Sequence, residues 1–416
     1  MSSEFQKVSV IGLGYIGLPT AAMLATHGLQ VLGVDVNAAT VETVNRGQVH
    51  IVEPELGAVV SGVVSAGRLR AATQPEPADA FIIAVPTPFR GNHEPDLSYV
   101  ESAARALSPV LAPGNLVILE STSPVGTTEK LAGWLGAARP DLRMPRLGGE
   151  PGDIYLVYCP ERVLPGRVLH ELAANDRILG GMTPACAERA AALYGRFVRG
   201  QCLVTDPRTA ELVKLAENAF RDVNIAFANE LGLIAEKLGI NPWELIGLAN
   251  RHPRVRILEP GPGVGGHCIA VDPWFIVHSA PELARLMRTA REINDGKPHQ
   301  VAAKVAGLAA RFSQPVIACL GLSYKADIDD LRESPAVLIV GELARRRAGR
   351  LLVVEPHARE LPAELAQAPG VELVGLTEAL AQADILVLLV NHRAFAKVDR
   401  RVLMEKVVVD TRGLWR

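Results

Sequence analysis

Residues 7–37 read "KVSVIGLGYIGLPTAAMLATHGLQVLGVDVN" and carry the strongest signal for the fold. An apolar run at 8–11 is typical of a buried strand, and it leads into a glycine turn, an apolar helix and a second strand that ends at Asp35. Further strand patterns follow at 78–88, "ADAFIIAVPTP", and at 115–128, "NLVILESTSPVGTT". Strands that alternate with helices predict an α/β fold with a doubly wound parallel sheet.

The end of the chain repeats this pattern. "PVIACLGLSYK" parallels "KVSVIGLGYIG", "LLVVEPH" parallels "VLGVDVN", and "ADILVLLVN" parallels "ADAFIIAVP". A second Rossmann-like unit is therefore expected, although it lacks a GxGxxG motif; convergent strand patterns are the alternative. We predict two such domains, at 1–200 and 306–416, joined by a helical domain at 201–305.

The composition is that of an ordinary globular enzyme, with 49% hydrophobic and 21% charged residues. A net charge of -2 argues against a general nucleic-acid or membrane-surface binder. The five cysteines are widely spaced without CxxC pairs, and the N-terminus does not resemble a secretory signal. These features predict a cytoplasmic protein with reduced thiols, without a bound metal and without a membrane or nucleic-acid partner.

The turn "GLGYIG" places Gly12, Gly14 and Gly17 between a strand and a helix. In a dinucleotide fold the first glycine makes the tight turn, the second admits the pyrophosphate, and the third allows close helix packing. Asp35 ends the next strand, where a ribose hydroxyl needs an acceptor, and its charge would repel a 2′-phosphate. The turn therefore predicts NAD as the cofactor rather than NADP.

Residues 208–240 form one long helical pattern, with no proline and no glycine before Gly232. Lys214, Asn218 and Arg221 fall on one side of this helix, either as its solvated face or as a polar stripe that points into a cleft. The apolar surface of the helix exceeds what one sheet domain would cover, so we also predict a homodimer through it.

"GPGVGGHCIAVDPW", at 261–274, places Cys268 among glycines and four residues before Asp272. The glycines would give a thiolate room for a covalent adduct and backbone N–H donors for an oxyanion. A small buried hydrophobe is the alternative for an isolated cysteine, and the residues alone leave both open. A nucleophilic thiolate beside NAD would carry an alcohol past the aldehyde to a carboxylate.

The chain resembles the UDP-glucose/GDP-mannose dehydrogenase family over nearly its whole length. The resemblance lies in ordered motifs: "IGLGYIGLP", "VPTP", "ESTSPVGTT", "CPERVLPG", "ELVKLAENAF", "GPGVGGHCIAVDPW" and "GLSYKADIDDLRESPA". Within the family, "CPERVLPG" and "GVGGHCIAVDPWF" most resemble members that oxidise C6 of UDP-N-acetyl-D-mannosamine to a uronic acid, for surface polysaccharides. The resemblance thus implies a UDP-amino-sugar substrate, held by the C-terminal domain.

The resemblance also implies roles for individual residues. Cys268 would be the nucleophile, Lys214 and Asn218 would stabilise the oxyanion or move a proton, and Asp272, Glu161 and Thr122 would hold the hydrolytic water. Cofactor contacts would be Gly12, Gly14, Tyr15, Ile16, Gly17, Asp35, Thr87, Thr122 or Thr128, and Arg332. Substrate contacts would be Arg162, Val163, Arg221, His252, Arg254, Gly265, Tyr324, Lys325 and Arg412. For Arg332 a helix-capping role is the alternative, and for Arg412 a surface position.

One departure concerns the base for thioester hydrolysis. Family members that oxidise UDP-glucose carry a second glutamate four residues after the first, where this chain has Pro165. Rival functions are a UDP-N-acetyl-D-glucosamine 6-dehydrogenase, a nucleotide-sugar-binding protein without catalysis, and a two-electron hydroxyacid dehydrogenase. The non-catalytic rival predicts loss of the catalytic set, yet Cys268, Lys214, Asn218 and Asp272 are all present.

Overall fold

The computed structural model describes residues 5–164, 166–266 and 269–415, in two compact units that divide between Glu217 and Asn218. The strands are β1 (Lys7–Ile11), β2 (Gln30–Val34), β3 (Leu69–Ala72), β4 (Ala80–Ile83), β5 (Phe89–Arg90), β6 (Glu94–Pro95), β7 (Leu116–Leu119), β8 (Tyr155–Tyr158), β9 (Arg177–Gly181), β10 (Cys202–Thr205), β11 (Val316–Leu320), β12 (Arg350–Val354), β13 (Val371–Leu373), β14 (Ile385–Leu388) and β15 (Val407–Asp410). The helices are α1 (Gly17–Thr26), α2 (Ala38–Asn45), α3 (Leu56–Ser65), α4 (Ser98–Leu107), α5 (Thr127–Ala138), α6 (Val168–Ala174), α7 (Pro184–Tyr194), α8 (Pro207–Lys237), α9 (Pro242–Ala249), α10 (Asp272–Ser279), α11 (Arg285–Ala309), α12 (Pro335–Arg345), α13 (Ala363–Ala366), α14 (Leu376–Gln382) and α15 (Arg400–Met404).

The first unit is built on an eight-stranded sheet in the order β10-β9-β8-β7-β4-β1-β2-β3. Its neighbouring strands run parallel except β8 and β9, which are antiparallel. The central strands are apolar throughout, as in "AFII" of β4 and "LVIL" of β7, and all their residues are buried. Continuous apolar runs of this kind are expected where helices cover both faces of a parallel sheet.

The second unit contains a five-stranded parallel sheet in the order β13-β12-β11-β14-β15. Alternate residues of its strands join two separate cores: Ile317 and Cys319 belong to one, Ala318 and Leu320 to the other. Its order matches β3-β2-β1-β4-β7 of the first sheet, so the strand correspondences expected from the sequence repeat are present. The predicted fold class is confirmed.

The predicted long helix is α8, Pro207–Lys237. Proline suits its first position, because the first N–H of a helix has no intrahelical partner. The helix ends where Gly239 adopts a left-handed conformation at φ +70° and the Ile240 N–H returns to the Ala235 carbonyl at 2.8 Å. Among the described helices, none is long and apolar enough to cross a membrane.

Candidate active site

The turn between β1 and α1 needs its glycines for different reasons. A side-chain carbon at Gly12 would lie 2.5 Å from the Ala84 carbonyl oxygen, and one at Gly17 would overlap the Gly12 carbonyl. Gly12 also has φ +94°, which side chains rarely adopt. A carbon at Gly14 would meet no atom within 4 Å, so Gly14 borders open space. Two glycines are therefore required by packing, and the third leaves the backbone accessible to a ligand.

The surroundings of this turn fit a dinucleotide. Helix α1 begins at Gly17 without a side-chain cap and without an acidic residue in its first turn, so the partial positive charge of its N-terminus is not neutralised there. Asp35 accepts the Leu13 N–H at 3.0 Å and the Asn37 N–H at 2.9 Å, and it is only half-buried. A carboxylate fixed in this way suits a ribose hydroxyl, and the helix terminus suits a pyrophosphate.

Thr87 and Thr122 lie on the loops that follow β4 and β7. The Thr87 hydroxyl donates to the Thr122 carbonyl at 2.5 Å, and Ser121 of the same loop donates to the Val85 carbonyl at 2.7 Å. These bonds tie the two loops together at the carboxyl edge of the sheet, where ligands of open α/β sheets bind. The structure therefore brings these two predicted residues together.

Thr128 is instead fully buried under a glutamate that the sequence did not reveal. Its N–H and hydroxyl both donate to Glu211 of α8, at 2.8 and 2.7 Å, and the Gly126 N–H donates to the other carboxylate oxygen at 2.6 Å. Glu211 thus caps the N-terminus of α5. In this bond the Thr128 hydroxyl donates its only hydrogen within the protein. The two residues are 83 positions apart, and no local pattern links them.

Glu161 is held by two arginines. Its carboxylate accepts the Arg162 N–H at 2.5 Å and lies 3.4 Å from a guanidinium nitrogen of Arg177, a residue that sequence reasoning missed. Arg177 is only 3% exposed, and Arg162 pairs with Glu217 at 2.7 Å. The Arg162 N–H and the buried guanidinium of Arg177 together fix the orientation of the Glu161 carboxylate.

A second buried carboxyl, Glu120, belongs to the same polar cluster. The Tyr194 hydroxyl donates to it at 2.6 Å, and Arg177 lies 5.3 Å from the centre of the Tyr194 ring. Burial raises the pKa of Glu120 to about 7, although Arg177 opposes that change. The first sheet therefore contains a carboxyl that takes up a proton near neutral pH.

Asn218 of α8 and Asp272 of α10 are in direct contact. The Asn218 side-chain amide donates to the Asp272 carboxylate at 2.5 Å, and Asp272 is only 2% exposed. A carboxamide nitrogen carries two hydrogens, so this bond leaves one for another acceptor. Lys214 is half-buried, one helical turn before Asn218 in α8. Cys268, four residues before Asp272, lies outside the described residues, as do His267 and Pro165.

The glycines that precede Cys268 are surrounded by protein atoms. A side-chain carbon at Gly265 would overlap the Glu333 carbonyl, and one at Gly266 would lie 3.0 Å from the Tyr324 ring. A side-chain carbon at Gly263 would lie 2.9 Å from both Pro298 and Pro335. Over 261–266 these glycines permit close packing of the chain on itself, and the expected room for an adduct at Cys268 stays a prediction.

The remaining candidates differ in exposure. Arg412 donates from Nε to the Leu389 carbonyl at 3.1 Å, and burial lowers the pKa of its guanidinium to about 10. Its Nη1 lies 2.9 Å from where a side-chain carbon of Gly261 would be, so it is not a free surface arginine. Arg332 is exposed and pairs with Asp330 at 2.7 Å. Exposed side chains are those of Arg221, His252, Arg254 and Lys325, and Val163 is half-buried.

Three family models match consecutive parts of the chain. The NAD binding domain of the UDP-glucose/GDP-mannose dehydrogenase family matches residues 6–198, its central domain matches 208–296, and its UDP binding domain matches 318–416. The chain belongs to the UDP-glucose/GDP-mannose dehydrogenase family. Membership confirms an NAD-dependent oxidoreductase that oxidises a UDP-sugar, and it confirms NAD as the cofactor.

Relatives in this family are similar over their whole length. An NDP-N-acetyl-D-galactosaminuronic acid dehydrogenase from Ralstonia nicotianae is 63% identical over 99% of this chain and 97% of its own. A UDP-N-acetyl-D-mannosamine dehydrogenase from Salmonella typhi is 60% identical over 99% of this chain and 100% of its own. The structure of a UDP-D-ManNAc dehydrogenase from Pyrococcus horikoshii superimposes with a TM-score of 0.87 at 39% identity, covering 99% of this chain and 96% of that one. The individual site residues and the three domain boundaries stay predictions.

Proposed function

We propose that this chain oxidises the C6 hydroxyl of UDP-N-acetyl-D-mannosamine to the uronate, for surface polysaccharide synthesis. The observation that carries the proposal is the Asn218–Asp272 hydrogen bond, because it joins the candidate oxyanion helix to the helix that begins four residues after Cys268. The relative from Salmonella typhi, at 60% identity, supports this substrate. A cytoplasmic location is part of the proposal, since NAD and nucleotide sugars are made there.

The residues of the chain would divide the chemistry as follows. When bound, NAD would supply the hydride acceptor for each of the two oxidations. Between them the Cys268 sulfur adds to the C6 aldehyde, and Lys214 and Asn218 stabilise the resulting oxyanion. Oxidation of that thiohemiacetal gives a thioester. Water then adds to the thioester carbonyl, the C–S bond breaks, and the carboxylate and the thiol are released.

The water for that last step needs acceptors, because Pro165 occupies the position of the family's second glutamate. Asp272 and Glu161 are both buried. Asn218 donates a hydrogen bond to Asp272, and Arg162 and Arg177 donate to Glu161. We propose that they orient the water together with Thr122. Lysine and arginine side chains among the substrate candidates would neutralise the diphosphate.

A second candidate substrate is an N-acetylgalactosamine nucleotide. The relative from Ralstonia nicotianae supports it with 63% identity, slightly above the mannosamine relative. Both candidates require the same oxidation at C6, so they differ only in the recognition of the sugar ring.

The substrate is tested by measuring NADH formed from the UDP forms of N-acetyl-mannosamine, -glucosamine and -galactosamine. We expect the highest kcat/KM with the mannosamine compound and two NADH for each sugar consumed. Faster turnover of the galactosamine compound would replace the first candidate by the second. One NADH per sugar would exclude the four-electron oxidation.

The covalent route is tested by Cys268→Ser, with Cys202→Ser as the matched control because Cys202 is half-buried and has no proposed role. We expect the first variant to lose at least about a thousandfold in uronate formation, as removal of a catalytic nucleophile does. The control should retain wild-type turnover. Unchanged uronate formation by Cys268→Ser would overturn the mechanism.

We also propose that the protein is a homodimer through α8. Phe220, Phe227 and Ile234 follow one side of this helix and Leu238 comes directly after its last residue; each is exposed, Phe220 to 72%. An apolar stripe at this spacing is typical of a helix that packs on a partner. Light scattering should give twice the chain mass, and Phe220→Glu with Phe227→Glu should give a monomer. Leu248→Glu, at an equally exposed position on α9, should leave the dimer intact; a monomeric wild type would contradict the proposal.

A further inference from the structure

The loop that follows β11, residues 321–327, carries Tyr324 and Lys325, which the proposed function assigns to the substrate. The Tyr324 ring lies against Gly266, which is the last described residue before Cys268. The Lys325 side chain is exposed. What holds this loop in place is therefore relevant to how the UDP-sugar is bound.

Glu355 anchors the start of the loop from the end of β12. One of its carboxylate oxygens accepts the N–H groups of Leu322 and Ser323 at 2.6 and 3.0 Å, and the other accepts the His357 N–H at 3.0 Å. The side chain of Glu355 has no exposed surface. A carboxylate so fully bonded within the protein has no oxygen left for a ligand.

His392 anchors the end of the loop. It is fully buried, and its Nδ1 accepts the Asp327 N–H at 2.9 Å. Because an N–H donates to Nδ1, the ring proton of the neutral histidine resides on Nε2, which lies 3.2 Å from Glu355 and 3.3 Å from the Ser323 hydroxyl. The Ser323 hydroxyl in turn donates to the Lys325 carbonyl at 2.7 Å.

The same groups include a possible metal-ligand set, since one atom each of Asp327, His357 and His392 lie within 4.8 Å of one another. His392 argues against a cation, because both of its ring nitrogens are already engaged. Arg393 also donates to the Asp327 carboxylate at 2.8 Å and places a positive charge there. The cluster is therefore better explained as a support for the loop.

We propose that His392 and Glu355 are positioning residues that hold the 321–327 loop in its UDP-binding conformation. This inference rests on the proposed function, because it takes Tyr324 and Lys325 as substrate contacts. Asp327 has φ +60°, a left-handed conformation that is strained for a residue with a side chain. Without the Nδ1 acceptor its part-buried N–H would lose this hydrogen bond, so the residue would relax and carry Lys325 with it.

The test compares His392→Leu with His392→Asn, using calorimetric titration with UDP and separately with NAD. The asparagine oxygen can occupy the position of Nδ1 and accept the Asp327 N–H, whereas leucine cannot. We expect His392→Leu to weaken UDP binding about tenfold or more, His392→Asn to stay within about threefold of wild type, and NAD binding to change in neither. In turnover, KM for the UDP-sugar should rise with little change in kcat.

The outcomes are distinguishable. A wild type that does not bind UDP refutes the proposed function, whatever the variants do. If the wild type binds UDP and His392→Leu binds it equally well, or if folded His392→Asn binds as weakly as the leucine variant, the positioning role is wrong. Should both variants fail to fold, Glu355→Gln decides: it weakens the acceptor of the Leu322 and Ser323 N–H groups, and unchanged UDP affinity of this folded variant would overturn the proposal.

Discussion

The turns that follow β1 and β11 start from the same geometry and diverge within six residues. Gly12 has φ +94° and Gly321 has φ +95°, and each donates its N–H at 2.8 Å to the last residue of the adjacent strand, Val34 or Val354. The sequences then read "GLGYIG" in the first turn and "GLSYKA" in the second. In the first turn α1 begins at the last glycine, whereas in the second α12 does not begin until Pro335.

The carboxylates beside these turns differ in the same sense. Asp35 is half-buried and accepts two backbone N–H groups, whereas Glu355 is buried and accepts three, with His392 beside it. The first turn offers an open backbone, a helix terminus and an accessible carboxylate to a dinucleotide. In the second turn the carboxylate is buried and α12 does not begin until Pro335, so under the proposed function the 321–327 loop takes over recognition of the nucleotide. One sheet order would then serve two modes of nucleotide binding.

Substitution of the glycine that both turns share should destabilise the protein equally in the two turns. Gly12→Ala would bring a carbon within 2.5 Å of the Ala84 carbonyl, and Gly321→Ala would overlap Val390, both at positive φ. We expect each to lower the free energy of unfolding by about 3 kcal/mol, measured by chemical denaturation. If only one variant is destabilised, the geometric equivalence of the turns does not extend to their energetics.

Substitution of the two carboxylates should affect the two turns differently. Glu355→Gln replaces one acceptor by a donor that faces N–H groups, so we expect a loss of about 2 kcal/mol in stability with unchanged NAD affinity. Asp35→Asn should cost less than about 1 kcal/mol in stability but weaken NAD binding about tenfold. Thermal unfolding and calorimetric titration with NAD check both. Equal stability losses would contradict the contrast between a buried and an open carboxylate.

The two sheets should also respond oppositely to pH. Burial raises the pKa of Glu120 from 4.5 to about 7, so the folded state binds this proton more tightly, and stability falls as pH rises through that range. Burial pushes the pKa of Glu355 up as well, but the bonds from His392 and backbone N–H groups outweigh it and leave the pKa below 4.5. Its contribution is present above pH 4.5 and is lost as the pH falls below it.

The measurement is the melting temperature of Glu120→Gln against wild type at pH 5 and pH 8. The neutral amide should gain about 1–2 kcal/mol relative to wild type at pH 8, and little at pH 5. Glu355→Gln is the matched control, and its deficit should be as large at pH 8 as at pH 5. A pH-independent effect of Glu120→Gln would show that Glu120 stays ionised.

The smallest effect on stability is expected when a residue of the first turn is replaced by its counterpart from the second. Gly14→Ser introduces the side chain of Ser323 at a position where a new carbon meets nothing within 4 Å. We therefore expect stability within about 0.5 kcal/mol of wild type but NAD affinity reduced about tenfold, because the hydroxyl occupies the space for the pyrophosphate. Unchanged NAD affinity would mean that the cofactor does not approach Gly14.

The elements and the cofactor turn were predictable because their signals are local. Strand runs such as 80–83, the spacing of Gly12, Gly14 and Gly17, and the uninterrupted helical pattern of α8 depend on residues close in sequence. Glu211, Arg177 and His392 were not predictable, because each acts on a residue that only the tertiary fold brings near. The close packing of the glycines before Cys268 was not predictable either, because sequence does not show that Tyr324 and Pro335 lie against them.

The burial of the other cysteines has a practical consequence. Cys159 and Cys319 have no exposed surface, and burial raises the pKa of each thiol to about 12. Cys186 is also buried, and Cys202 is half-buried with a pKa that burial raises. An alkylating reagent reacts with exposed thiolates, so these four positions give a low background in the folded protein. With Cys268 as the proposed nucleophile, its labelling would be read directly by mass, and a fluorescent probe attached to it would report on the proposed site without removal of any other cysteine.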